Sequence, residues 1–134
     1  MRTVELRVRT GDRFVTDLSA DVRAFAGEAG GDGLLQVFVP HATAGVALLE
    51  TGSGSEADLA DAVARVVPRD ARYAHEHGSP GHGGDHVLPA FVAPSLTLPV
   101  VDGVPQLGVW QSVVLVDPNV DNPDRTVRLS FLAG

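Results

Sequence analysis

Residues 3 to 10, 'TVELRVRT', alternate in polarity. Val4, Leu6 and Val8 point one way, and Glu5, Arg7 and Arg9 point the other. A period of two predicts a half-buried antiparallel strand. The 'GDR' at residues 11 to 13 reads as a hairpin turn and 'FVTDL' as its return strand. A helix is predicted from Ser19 to about Glu28, with Val22, Phe25 and Ala26 on one face and glycines at 30, 31 and 33 to stop it. 'LLQVFVP' (34 to 40) and 'GVALLET' (45 to 51) read as strands joined by 'HATA'. Ser53 and Glu56 have the spacing of a capping box, with Ser55 as a rival cap. Leu59, Ala60, Val63, Val66 and Val67 then form one helical stripe, which Pro68 ends.

Residues 69 to 85, 'RDARYAHEHGSPGHGGD', have no period, and a loop this long in a compact domain is usually functional or mobile. 'HVLPAFVAP' allows only a short turn of helix or an extended piece. 'SLTLPVV' and 'QLGVWQSVVLV' are expected to pair across the turn 'DGVP', and 'RTVRLSFLA' to close the chain as a strand after a turn at 118 to 124. The sum is an α+β fold, a β-rich antiparallel sandwich with two main helices, in one domain over residues 1 to 134.

Strand parity turns this pattern into a search for chemistry, because successive side chains point to opposite faces. Leu35, Val37 and Val39 share a face, and His41 continues it if the chain stays extended past Pro40. Glu50 follows Val46 and Leu48. Gln111 falls among Leu107, Val109, Val113 and Leu115, and Arg125 shares parity with Val127, Leu129 and Phe131. An unpartnered buried polar group costs about 1–3 kcal/mol and an unpaired charge more. These four groups therefore either converge on a pocket or turn into solvent where the strands fray. Trp110 reads as a core or subunit contact, or else as the wall of a ligand pocket.

Composition narrows the chemistry. There is no Cys and no Lys, and all ten basic residues are Arg. Thiolate metal sites, disulfides, Schiff-base lysines and P-loop lysines are excluded. The net charge of −7, without a basic stripe, disfavours nucleic acid. No apolar run is long enough to span a bilayer, and 'MRTVELRVRT' reads as a strand and not a signal peptide, so a cytoplasmic location is expected. Four of the five histidines, His75, His77, His82 and His86, fall within twelve residues beside Asp85. Imidazole is the commonest zinc ligand. The spacing is not H-E-x-x-H, and the glycines argue against a ligand-bearing helix. Spacing alone leaves a metal site and a solvated loop both open.

The ordered motifs carry a resemblance that covers residues 3 to 133. 'GLLQVFVPHATAGVALLE', 'VVPRDARYAHE', 'DHVLPAFVAPSLTLP', 'GVPQLGVWQ' and 'PDRTVRLSFLAG' resemble, in order, the motifs of the secondary thiamine-phosphate synthase family. The resemblance implies a homotrimer and a histidine site, metal-binding and near a subunit interface. Carried over by position, it implies His41, His75 and His86 as ligands of a divalent metal such as zinc or magnesium. It implies Glu50, Gln111, Arg125 and Arg128 as the catalytic set, with His77 and His82 outside the motif. Ala42 stands where the family has Thr, Thr51 where it has Asn, Leu88 where Lys is common, Ala93 where Gly is, and Val109 where Thr is. Glu76 and His77 replace an Asn-Asp pair.

The implied reaction joins hydroxymethylpyrimidine diphosphate to thiazole phosphate, so the implied partner is a small phosphorylated substrate. A metal with Arg125 or Arg128 would neutralise the leaving diphosphate, and Glu50 would orient a histidine or act as a base. A metal-dependent hydrolase uses the same parts. A non-catalytic trimeric metal- or ligand-binding protein and an inert trimeric scaffold are the competing classes.

Overall fold

The computed structural model describes residues 1–70 and 72–134. Two antiparallel sheets form its frame. The larger has the order β1-β8-β3-β5-β6, from strands Arg2–Arg9 (β1), Gly33–Phe38 (β3), Ser95–Val101 (β5), Val104–Pro105 (β6) and Asp124–Ala133 (β8). The smaller has the order β2-β7-β4, from Val15–Asp17 (β2), Gly45–Leu49 (β4) and Ser112–Val116 (β7). Helices α1 (Ser19–Ala29) and α2 (Ser55–Val66) are the long ones, and His82–Asp85 forms a third, single-turn helix, α3.

The alternation read from the sequence becomes a core. Leu35 and Val37 of β3, Leu98 and Val100 of β5, and Val127, Leu129 and Phe131 of β8 turn inward against Val46 of β4 and Val113 and Leu115 of β7. Val22, Phe25 and Ala26 of α1 pack into the same cluster. The opposite face of the small sheet carries Val114 and Val116. These pack with Leu88, and with Leu59 and Val63 of α2. Strand β7 is therefore covered on both sides, which is why 'VVLV' is a continuous apolar run.

Three local expectations are corrected. The capping box does not form: Gly54 is the N-cap of α2 without a side-chain bond, and only Glu56 reaches back, its Oε1 accepting the Gly52 N–H at 2.7 Å. Gly54 takes a left-handed φ of 96°, which glycine adopts freely, so neither serine is at the cap. Residues 106 to 116 are not one strand. Asp102 and Gly103 (φ 49° and 75°) make the tight hairpin turn, but its second arm is only Val104–Pro105. The chain then folds on itself: the Gly108 N–H donates to Gln111 Oε1 at 2.8 Å, and the Gln111 N–H to the Gly108 carbonyl at 3.0 Å. The return strand therefore starts only at Ser112 and joins the other sheet, and Val109 and Trp110 are 90% and 73% exposed. The glycine-rich loop does bear a helix, the single turn at His82–Asp85.

Gly45, where β4 begins, lies against the Val92 carbonyl so closely that a Cβ would collide with it. That contact clamps the segment after the histidine loop onto β4, with the Val46 N–H bonded to the Ala93 carbonyl at 2.9 Å.

Candidate functional site

The loop between α2 and β5 brings four imidazoles together. Pro68 breaks α2, and the chain returns over the small sheet to the buried Leu88. The Tyr73 hydroxyl donates to the Pro68 carbonyl at 2.6 Å and pins the outgoing arm. Gly83 and Gly84 let α3 sit against that arm, since a Cβ at Gly83 would lie 2.7 Å from Tyr73 Cβ. His82 and His86, four residues apart around the turn, share a face, and their Nε2 atoms are 2.9 Å apart. His75 and His77 fold over them, with ring centroids 4.1 Å from His75 to His86 and 5.3 Å from His77 to His82. One nitrogen from each of the four lies within 4.8 Å of the others. His75, His77 and His82 line a cleft of about 320 Å³ with Tyr73, Ser79 and Pro80.

The electrostatics favour the neutral form of two of the donors. The His75 and His86 rings titrate below the ordinary histidine value, first because burial disfavours the charged form and then because the neighbouring rings repel it. A neutral imidazole has a bare nitrogen, the form a metal needs. Two carboxylates stand behind His82: Asp121 Oδ2 is 3.1 Å from its Nδ1 and Asp85 Oδ2 is 3.8 Å away. Asp85 is buried and paired with Arg69 at 3.1 Å. Burial nevertheless raises its carboxyl above the usual range, the Arg69 charge opposing that shift.

The donor set fits a divalent transition metal. Zinc takes nitrogen at about 2.0–2.1 Å in a tetrahedron, whose edge is then about 3.4 Å. The widest separation of 4.8 Å would have to shorten by about 1.4 Å, and His75 and His77 lie on the exposed side. All-nitrogen donors suit zinc and its neighbours better than magnesium, which prefers oxygen.

The residues named from the sequence are distributed differently. His75 and His86 lie in the cluster, together with His77 and His82, which the motif resemblance leaves out. His41 is held against β8: its Nε2 accepts the Thr126 N–H at 2.9 Å. Its titration is shifted down, first by burial and then by the charge of Arg125, with Asp117 opposing. Arg125 is inside the fold as parity predicts, 3% exposed, and is fully engaged there. It donates to both Asp117 oxygens at 2.7 and 2.9 Å and to Thr43 Oγ1 at 2.8 Å. Arg128 pairs with Glu5, its partner in the strand register, at 2.7 Å. Gln111 closes its own exposed turn. Glu50 is exposed just past β4, because the face it shares with Val46 opens to solvent at Leu48. What went unseen in the sequence is the pairing of His82 with His86. The signal was present as H-x-x-x-H, the spacing of neighbours on one helical face.

Residues 3–134 match the family model described as UPF0047 protein YjbQ-like. A UPF0047 protein of Mycobacterium tuberculosis is 62% identical over 134 residues, the whole of both chains. One from Methanothermobacter thermautotrophicus is 30% identical over 131 residues, covering 96% of this chain and 90% of its own. A hypothetical protein from Aeropyrum pernix K1 superposes with a TM-score of 0.89 at 31% identity, over all of both chains. A YbjQ-like protein of unknown function from Sulfolobus solfataricus P2 superposes at 0.91 over 99% of this chain and 97% of that one, a likeness of fold alone at 20% identity.

Proposed function

Given that this chain belongs to the UPF0047 family of YjbQ-like proteins, we propose that it is a divalent-metal-binding enzyme acting on a small phosphorylated substrate. The observation that carries this reading is the convergence of His75, His77, His82 and His86, whose ligand nitrogens lie within 4.8 Å of one another. A zinc-class ion held there would supply positive charge beside the cleft. Arg125, Arg128 and Arg69 are already paired, with Asp117, Glu5 and Asp85. Among the ligands, His75 and His77 are exposed and at the cleft, so substrate would displace one of these two, leaving three protein donors and an open position.

The reaction that fits the motif resemblance is coupling of a pyrimidine diphosphate to a thiazole phosphate, as in secondary thiamine-phosphate synthases. A metal-dependent hydrolase would use the same residues. A non-catalytic metal-binding protein is the second reading, favoured by one observation: four imidazoles are present, enough to fill all four positions of a tetrahedral ion, the pattern of closed structural sites. The trimer implied by the resemblance belongs to this proposal too. Its support is the exposed apolar set Val66, Phe91, Val109 and Trp110.

Metal analysis of the purified protein and zinc titration of the metal-free form test the site. Alanine at His75, His77, His82 or His86 is expected to weaken binding, and alanine at His41 to leave it intact. Absence of zinc binding by the unaltered protein would refute the reading. Rescue of a thiamine-requiring strain, lost with His82→Ala, separates the synthase from the binder.

A further inference from the structure

The four-histidine cluster has a carboxylate behind it that comes from a distant part of the chain. Asp121 lies between β7 and β8. Its Oδ2 stands 3.1 Å from His82 Nδ1 and accepts the Ser79 N–H at 3.0 Å. Its own N–H donates to Asn119 Oδ1 at 3.0 Å. Asn119 in turn donates through its backbone to Asp117 Oδ1 at 2.9 Å and through its side chain to Thr43 Oγ1 at 3.1 Å. Asp117 and Thr43 are the two groups that hold the buried Arg125. Asp121 is thus mounted on the interior of the fold, whereas His82 rides on the histidine loop.

His82 is the one ring of the four that is buried, at 7% exposure, and among the described residues its Nδ1 has no aligned acceptor in spite of the close carboxylate. The nearby alternative, Asp85, is farther at 3.8 Å and committed to Arg69. Asp121 Oδ2 already takes the Ser79 N–H, and an ionised carboxylate is an acceptor only. The ring nitrogen facing it must then carry the hydrogen. That leaves His82 Nε2 bare, on the side where His86 Nε2 lies at 2.9 Å. Gly78 permits the approach, because a Cβ there would lie 2.8 Å from both Asp121 Oδ2 and His82 Cγ.

We propose that Asp121 is the positioning residue of the metal site, fixing His82 as its Nδ1–H tautomer with Nε2 directed at the ion and tying the histidine loop to the β7–β8 loop. This rests on the metal-binding reading above. Carboxylate partners of ligand histidines commonly change metal affinity by about 10- to 100-fold when removed.

Two measurements on the full chain test it. In metal-free protein, long-range proton–nitrogen spectra of labelled histidine are expected to show His82 protonated at Nδ1, and Asp121→Asn to give mixed tautomers. Zinc affinity, read by competition with a chromophoric chelator, is expected to fall about 10- to 100-fold in Asp121→Asn. It should recover in part in Asp121→Glu and stay unchanged in Asp124→Asn, a neighbouring surface carboxylate. A wild-type His82 protonated at Nε2, or unchanged zinc affinity in a folded Asp121→Asn, overturns the inference. Wild-type protein that binds no zinc overturns the metal reading itself, and the inference with it. The metal-free spectra separate the two failures.

Discussion

His41 Nε2 accepts the backbone N–H of Thr126 at 2.9 Å, so the ring that ends 'VFVPH' is fastened to the strand bearing Arg125. A protonated Nε2 cannot accept this bond, and the added charge would face the Arg125 guanidinium. Burial and that charge together place the folded-state pKa below the unfolded one, which is about 6.5. Between the two values the unfolded chain binds more protons. The stabilisation is therefore complete above about pH 6.5 and is lost as pH falls through the folded value. Urea midpoints are expected to drop over that window. The downward-shifted His75 and His86 add to the drop in metal-free protein. His41→Gln keeps an acceptor without a titrating group and is expected to flatten part of the slope. An unchanged slope would mean that His41 titrates alike in the folded and the unfolded chain.

The Arg125–Asp117 pair is fully buried and bidentate, and Thr43, Thr10 and Asn119 complete its bonds. Arg125→Met strands the Asp117 carboxylate, and loss of one partner of such a pair costs about 3–5 kcal/mol. Chemical denaturation should show that loss. If the variant is instead as stable as the parent but inactive, Arg125 serves substrate directly.

Gly83 is the contact point between α3 and the arm that carries His75. A Cβ there would press on Tyr73, 2.7 Å away, and push His82 and His86 from His75 and His77. Gly83→Ala is expected to weaken zinc binding by more than tenfold with a smaller change in melting temperature, read by chelator competition and calorimetry.

The turn at Gly108–Gln111 exposes Val109 and the only Trp of the chain. If three copies associate, this turn is an apolar contact that a charge would disrupt. Sedimentation is expected to show a trimer for the parent and smaller species for Val109→Asp with Trp110→Arg. Trp110 fluorescence should shift to the blue on association. Equal sedimentation of both proteins would place the interface elsewhere.

Much of this molecule is legible in the chain itself. The alternation in 'RTVRLSFLA' gave a strand whose inward residues are in the observed core, and that in 'VELRVR' one whose inward residues pack against it half-buried, because a period of two leaves a strand one inward face. The same parity placed Arg125 inside. The stripe from Leu59 to Val63 put α2 on the small sheet, and the histidine loop stood out by its lack of period. Parity misled where the chain was not extended: Gln111 sits in a turn, and the face carrying Glu50 opens to solvent. Only the tertiary fold decided which histidines meet. That outcome depends on a glycine-lined contact between two arms of one loop, on a one-turn helix that stacks His82 under His86, and on the partners that hold His41 elsewhere. None of these has a repeating pattern along the sequence. They arise from distances between residues up to 85 positions apart, which side-chain periodicity does not encode.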